Sequence, residues 1–345
     1  MLKNLENIVT NLSRYSSGDN CQPFFFQIDE SALTIKIFHD YEIAKHPFNP
    51  ENLSSILSLG VIVQMMEELS KEYSFKSKFE LMINKSNFNS RKRIHWGTFT
   101  ITGMNQEIPK KNIFLNVVTD RKPYNEIEIN LPLLDNDIKI ATQLEESEIE
   151  LILKSEEKTW STPEHIVAVF EWIFFSYNRY KKLKQGIYYK EANMEFSEAL
   201  LISSLRSPFL VKILTKLKIV KILALKKTKS VIRKTPNIIG VFAEITSPID
   251  LVEVGKKAFL MKYEFSKKGI VTQPLSSATL PYIYNLLNCC DYGSGAQYKN
   301  IQIKFKDKFN NQNKNHHLVW MFRAGTPVSS LPPSLRKDFS DILLR

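Results

Sequence analysis

A chain of 345 residues, 43% hydrophobic and 24% charged with a net charge of +11, is globular in composition and long enough for one large domain or two small ones. Three cysteines, Cys21, Cys289 and Cys290, exclude a disulfide framework and point to a reducing compartment. The opening MLKNLENIVTNLSRY lacks the continuous apolar core of a signal peptide, and the runs SSILSLGVIVQMM and IVAVFEWIFF are too short to span a bilayer, so a cytoplasmic protein without a membrane span is expected.

Leu2, Leu5, Ile8, Val9 and Leu12 recur at helical spacing and deliver the chain to a polar loop, SSGDNCQP. FFFQID and ALTIKIF then predict a strand pair turned through Glu30 and Ser31. NPENLSSILSLGVIVQMMEELSKEY predicts a buried helix, with Asn49 as cap and Pro50 at its first position. KFELMINK and HWGTFTITG read as strands. NIFLNVVTDRKPYNE is an apolar run ending in a basic turn at Thr119 to Lys122. IKIATQLEE suits a strand, and Thr162 and Pro163 open a long helix to about Lys184. SPFLVKILTKLKIVKILALKK reads as helical after Pro208, with Lys212, Lys216 and Lys227 on one face. NIIGVFAEIT is a core strand. SPIDLVEVGKKAFLMKYEFSKKG is a helix capped by Ser247 and stopped by Gly269. YKNIQIKFKDKF fits strand or helix, and HLVWMFRAG is a last strand. The expected class is α+β, a central and mostly antiparallel sheet covered by helices.

The charge is uneven. Residues 181–234 hold 14 Lys and Arg against 3 Glu, which is the whole excess. The segment reads either as a lysine-rich solvated hairpin or as a contact for phosphate, acidic protein, nucleic acid or anionic lipid.

No HExxH, zinc-type Cys/His spacing, GxSxG elbow or Walker loop is present, so no metal and no side-chain nucleophile is expected. GSGAQ, from Gly293 to Gln297, is too short for a phosphate cradle. Adjacent Cys289 and Cys290 read as buried thiols.

Three separated stretches remain: YSSGDNCQPF at residues 15–24, VVTDRKPY at 117–124, and MFRAGTPVSSLPPSLRK, with KYEFSKKGIVTQPLSS before the last. Each alone is an ordinary turn or tail. In this order they resemble the FMN-dependent nitroreductase superfamily, whose members carry a loop of the kind APSxxNxQPW, a basic element R-x-[ST]-x-[RK]-x-[YF], a helix ending in glycine before the flavin ring, and a final strand leading to a basic pair. Here the Ser/Asn loop precedes the basic element. That order is similar to the subgroup in which one chain carries two related halves and mimics the usual homodimer. The resemblance implies a half at residues 1–110 and a second at 111–345, forming one compact unit. A basic helical insertion at 181–236 would be a lid or a docking surface. The assembly would be a monomer or a homodimer.

The resemblance further implies FMN as cofactor and NADH or NADPH as transient reductant. A dianionic phosphate needs fixed cations, and Arg121, Arg336 and Lys337 are the candidates. The ring edge needs amides and hydroxyls, with Ser16, Ser17, Asn20, Gln22 and Thr119 as candidates. The turn at Leu275, Ser276 and Ser277 would aim backbone N–H groups at the reactive edge. The flavin carries the hydride chemistry, so no catalytic side chain is expected. Three positions depart from the pattern: Val117 stands where the first Arg would be, Phe24 where Trp is usual, and Ser276–Ser277 where Glu-Gly is frequent. The expected activity is an oxidoreductase that passes hydride to a small acceptor, such as a nitroaromatic or quinone, or that dehydrogenates a small substrate. The alternatives are a non-catalytic protein that binds or sequesters flavin, and a degenerate relative that acts through its basic segment.

Overall fold

The computed structural model describes residues 1–83, 93–125, 135–204, 207–289, 295–329 and 332–344. Cys290, and Gly293 and Ser294 of GSGAQ, lie outside them. Helix α1 (Leu2–Leu12) buries Leu5, Ile8, Val9 and Leu12 of the stripe its spacing predicts and leaves Leu2 exposed. Strands β1 (Phe24–Asp29) and β2 (Thr34–His39) pair antiparallel from Phe24↔His39 to Asp29↔Thr34. Asp29 fixes their turn, its Oδ1 accepting from Ser31 Oγ at 2.6 Å and Ala32 N at 3.0 Å. After the short helix α2 (Tyr41–Ala44) comes α3 (Leu53–Glu72). Asn49 caps α3 across a Pro50–Asn52 turn, its Oδ1 accepting from Ser54 N at 2.9 Å. By length and composition α3 could cross a membrane, but most of it is buried inside the protein, as a core helix is. Strands β3 (Lys76–Leu81) and β4 (Ile94–Thr102) complete a sheet of order β1-β2-β4-β3, all antiparallel.

The second part begins with β5 (Ile138–Thr142), α4 (Glu146–Ser161) and α5 (Pro163–Glu171). It continues through β6 (Ile173–Phe174), α6 (Tyr177–Leu183) and β7 (Ile187–Tyr188). Three helices of the basic segment follow: α7 (Phe196–Ser204), α8 (Pro208–Lys216) and α9 (Ile219–Arg233). Then come β8 (Asn237–Ala243), α10 (Leu251–Lys267), β9 (Val271–Pro274), α11 (Ser276–Leu286), α12 (Gly295–Lys308), β10 (His317–Gly325) and α13 (Phe339–Ile342). The second sheet has the order β5-β8-β10-β9 and is antiparallel throughout. β6 and β7 form a small parallel pair.

Four readings change here. The protein is α+β with antiparallel sheets packed by helices, but the described residues form two four-stranded sheets rather than one central sheet. The long helix expected from Thr162 to Lys184 breaks: the run from Ile173 to Phe175 is β-branched and aromatic and goes extended, and Ser176 then caps α6. Helix α4 was not foreseen, because its cap is a glutamate: Glu145 and Glu148 form a reciprocal capping box. Lys227 does not share a face with Lys212 and Lys216, because Lys218 adopts φ 58° and ends α8 before α9 starts. The ambiguous YKNIQIKFKDKF is helical, within α12.

The two sheets repeat one topology. In each, a strand leads into a long helix, the chain returns as an edge strand, and the next strand inserts between the two: β2-α3-β3-β4 and β8-α10-β9-β10. An additional strand, β1 or β5, flanks the first. Helices α3 and α10 cross where Gly60 meets Gly255. A Cβ on Gly60 would collide with the Val252 carbonyl, and one on Gly255 with the Leu57 carbonyl. The offset from Leu57 to Val252 equals that from Gly60 to Gly255, so a local pseudo-twofold passes through this crossing. One hydrophobic core runs through both sheets and both helices. A separate small core, with Ile166, Phe170, Tyr189, Val211 and Val220, lies under the segment from α5 to α9.

Candidate functional site

The loop before β1 is held in backbone conformations that cost most residues energy. Asp19, Asn20 and Gln22 all have positive φ, at 47°, 57° and 54°. Side-chain amides stabilise it. Asn20 Nδ2 donates to Gly186 O at 2.9 Å and Leu335 O at 3.0 Å. Gln22 Nε2 donates to Lys184 O at 2.8 Å, and Gln22 Oε1 accepts from Lys337 N at 2.9 Å. These two residues therefore clamp the loop to the turn after α6 and to the C-terminal tail. The clamp carries Arg336 inward. Ser17 Oγ accepts from Gln22 N at 3.0 Å, which leaves Ser16, Ser17, Gly18 and Asp19 as one wall of a cavity.

That cavity, of about 320 Å³, lies between the two halves. The first half supplies the Ser16–Asp19 wall, His46 and Ser58; the second supplies Thr119, Arg121, Lys262, Gln273, Ser276 and Trp320. Arg323 shapes the Thr119–Lys122 turn. It is fully buried, donates Nη2 to Asp120 O at 3.1 Å and Lys122 O at 2.8 Å, and donates Nε to Gln273 Oε1 at 2.6 Å. Its guanidinium sits 4.0 Å from the centre of the Tyr124 ring. Asp120 tightens the same turn, its Oδ1 accepting from Lys122 N at 2.8 Å. The side chain between them, Arg121, is thereby fixed at the cavity. Ser276 begins α11, and its Oγ accepts from Trp320 Nε1 at 3.0 Å.

A smaller cavity of about 50 Å³ adjoins the first and shares Ser16, Ser17, Thr119, Arg121 and Lys262 with it. It adds Arg14, Asn20 and Arg336. Four cations thus surround one small space: Arg14, Arg121, Lys262 and Arg336. Among the described residues none of them forms an ion pair. Arg14 Nε and Arg336 Nε are buried without a hydrogen-bond partner, as is Asn20 Oδ1. Lys262 is only 7% exposed, and its Nζ donates to Thr119 Oγ1 at 3.1 Å. Burial, then Arg121 and Arg336, pushes the Lys262 ammonium down to about 8. Burial, then Arg14, pushes Arg336 down to about 9. Burial also lowers Arg14 and Arg121, the latter against the opposing pull of Asp19 and Glu191. Crowding four like charges this way is unfavourable unless something opposes them, Lys262 being buried and the three arginines half-buried. The chemistry that offsets it is a multiply charged anion.

A third cavity, of about 280 Å³, shares Arg121, Gln273 and Pro274 with the first. Trp160, Phe170, Met194 and the inner face of α9, with Val220, Ala224 and Ile232, make it mostly apolar. Helix α9 covers it, held through Lys221–Glu157 at 3.1 Å, Arg233–Glu146 at 2.8 Å, Lys227–Glu198 at 2.6 Å and Lys229–Glu146.

Of the residues singled out from sequence, Ser16, Ser17, Thr119, Arg121 and Ser276 come together at the large cavity, and Asn20 and Arg336 at the small one. Gln22 and Lys337 line neither: Gln22 is spent on the clamp, and Lys337 Nζ lies 3.3 Å from Gln22 O and over the Phe25 ring. Ser277 turns away, donating to Glu156. Val117, which stands where the resembled pattern has its first Arg, lines the small cavity, and Arg14 and Lys262 bring charge there. Both escaped the sequence reading, as did Arg323. Lys262 had a signal, since it sits in the apolar stripe of α10 with Ala258, Phe259 and Phe265. No protein-family model matches the chain, and no curated protein sequence matches it.

Proposed function

We propose that this protein binds FMN between its two halves and works as an FMN-dependent oxidoreductase of nitroreductase-like fold, a single-chain pseudo-dimer. One observation carries the reading: a pocket walled by four cations without ion pairs among the described residues, Lys262 buried and the three arginines half-buried, adjoins a cavity lined from both halves. The residues fit the group. Arg14, Arg121, Lys262 and Arg336 would hold the dianionic phosphate, with the unpartnered Nε–H groups of Arg14 and Arg336 among the available donors. Ser16, Ser17 and Thr119 offer hydroxyls to the polar chain and ring edge. The first turn of α11, at Ser276, offers backbone N–H groups and the positive end of a helix dipole. When bound, the flavin supplies the hydride transfer that no side chain here supplies. The protein's part is to position it, tune it through those donors and keep water out.

The apolar third cavity favours turnover, because it meets the first at Arg121, Gln273 and Pro274 and suits a flat acceptor such as a quinone or nitroaromatic. NADH or NADPH would be the reductant. The α9 cover and the clamped tail favour a second reading, a protein that stores flavin without turning over. One experiment separates them. Purified protein soaked in FMN and freed of excess is expected to be yellow, to bleach with NADH or NADPH, and to recover its colour with a quinone. A yellow protein that neither nicotinamide bleaches supports storage. A protein that stays colourless rejects both.

A further inference from the structure

The basic segment separates its cations into two groups. Lys221, Lys227, Lys229 and Arg233 turn toward the protein and pair with Glu157, Glu198 and Glu146. Lys212, Lys216, Lys218 and Lys226 are exposed and have no acidic partner among the described residues. Large apolar side chains stand among these outward lysines: Phe209 is 71% exposed, Leu217 59% and Ile222 60%, with Leu210, Ile213 and Leu223 exposed as well. On α8 and its end, Phe209, Leu210, Ile213 and Leu217 fall within an arc of about 100°, at 3.6 residues per turn. Lys212 and Lys216 border that arc, and Val211, buried, lies on the far side. On α9, Ile222 faces out beside Lys226, Leu223 is exposed at the edge of the apolar cavity, and Val220 and Ile232 face in.

This clustering has no place on an ordinary solvated hairpin, where aliphatic and aromatic side chains would not gather around the excess charge. Nucleic acid would use the lysines and leave the aliphatic groups wet. An anionic bilayer surface uses both: headgroups meet the lysines, and the apolar arc enters the acyl boundary. We propose that α8 and the outer face of α9 dock this protein in the plane of an anionic lipid bilayer. The proposal stands whether or not flavin binds.

The test is co-sedimentation of the full chain with vesicles of phosphatidylcholine alone or mixed with phosphatidylserine. Binding is expected to the mixed vesicles, to fall as salt rises, and to be weak on the neutral ones. Two variants at exposed positions should each lower it by roughly tenfold or more with unchanged melting: Lys212→Glu with Lys216→Glu, and Phe209→Ser with Ile213→Ser. No binding to the mixed vesicles overturns the proposal. So does binding that the Ser variant leaves intact, which marks a partner read by charge alone. So does a wild-type dimer on sizing that the Ser variant dissolves, which marks a second copy as the occupant.

Discussion

At the residue scale, Arg121 and Lys262 carry most of the account. Arg121 makes no hydrogen bond to the rest of the protein among the described residues, and it lines all three cavities. Its loss should leave the fold intact and weaken the ligand. Arg121→Met is expected to lower FMN affinity by roughly tenfold or more, and the double variant with Arg336→Met by roughly 10²-fold or more, since charge-assisted hydrogen bonds are each worth about 1.5–3 kcal/mol. Equilibrium titration of flavin fluorescence measures this. Lys262 sets a pH dependence. Its pKa lies near 8 without an anion, and a bound phosphate restores the ammonium. Below that pH the charge is already present; above it, binding must take up a proton. FMN affinity should therefore be flat near neutrality and fall by up to about tenfold per pH unit above 8. Lys262→Met should lower affinity at neutral pH and remove that slope, leaving the later fall from Arg336, which sits near 9. An unchanged slope in the variant would assign the proton elsewhere. Ser17, Thr119 and Arg121 were legible in the sequence because a polar or basic group beside a chain break has few structural uses. Arg14 was not, because an arginine just past a helix end is usually solvated. Gln22 looked like a ligand group because only the folded chain reveals that its amide holds the distant tail, while Asn20 both clamps that tail and lines the small cavity.

At the element scale, the crossing of α3 and α10 joins the halves. Gly60 and Gly255 allow carbonyl-to-Cα approach there. Gly255→Val should destabilise by about 2–3 kcal/mol through overpacking, read as a lower midpoint of denaturation. Because the cavity wall depends on this crossing, FMN affinity should fall as well. Helix α9 is a cover held largely by part-exposed ion pairs, each worth about 0.2–1 kcal/mol, so it can open. Ala224→Trp, at its inner face, should fill the apolar cavity. The expected result is unchanged flavin binding and nicotinamide bleaching but slowed recovery with a quinone; unchanged recovery would move the acceptor out of this cavity. Helices with clear caps and stripes were readable from sequence, including α3 with Asn49 and α10 with Ser247 and Gly269. Helix α4 was not, because glutamate is a rare cap. The break after α5 was not, because an apolar stretch from Ile166 to Phe175 satisfies helix and strand alike.

At the scale of the whole molecule, the repeat of strand, long helix and two strands builds a two-part protein with one shared core. Sequence reading reached the class but gathered the strands into one sheet. Pairing partners such as β5 and β8, or β4 and β2, are distant in the chain, and local periodicity says nothing of which edge a strand joins. The cationic pocket needs Arg14 from the first part, Arg121 and Lys262 from the second, and Arg336 from the tail. Such a set forms once among the described residues, so a single FMN per chain is expected even though the topology is doubled. The most direct measurement is a titration of the purified chain with FMN, with binding stoichiometry and inorganic-phosphate competition read together. Saturation at one FMN per chain, competed by phosphate and lost in the Arg121→Met, Arg336→Met variant, is the expected result. A chain that takes up no FMN, or takes it up equally well without those two arginines, contradicts the account.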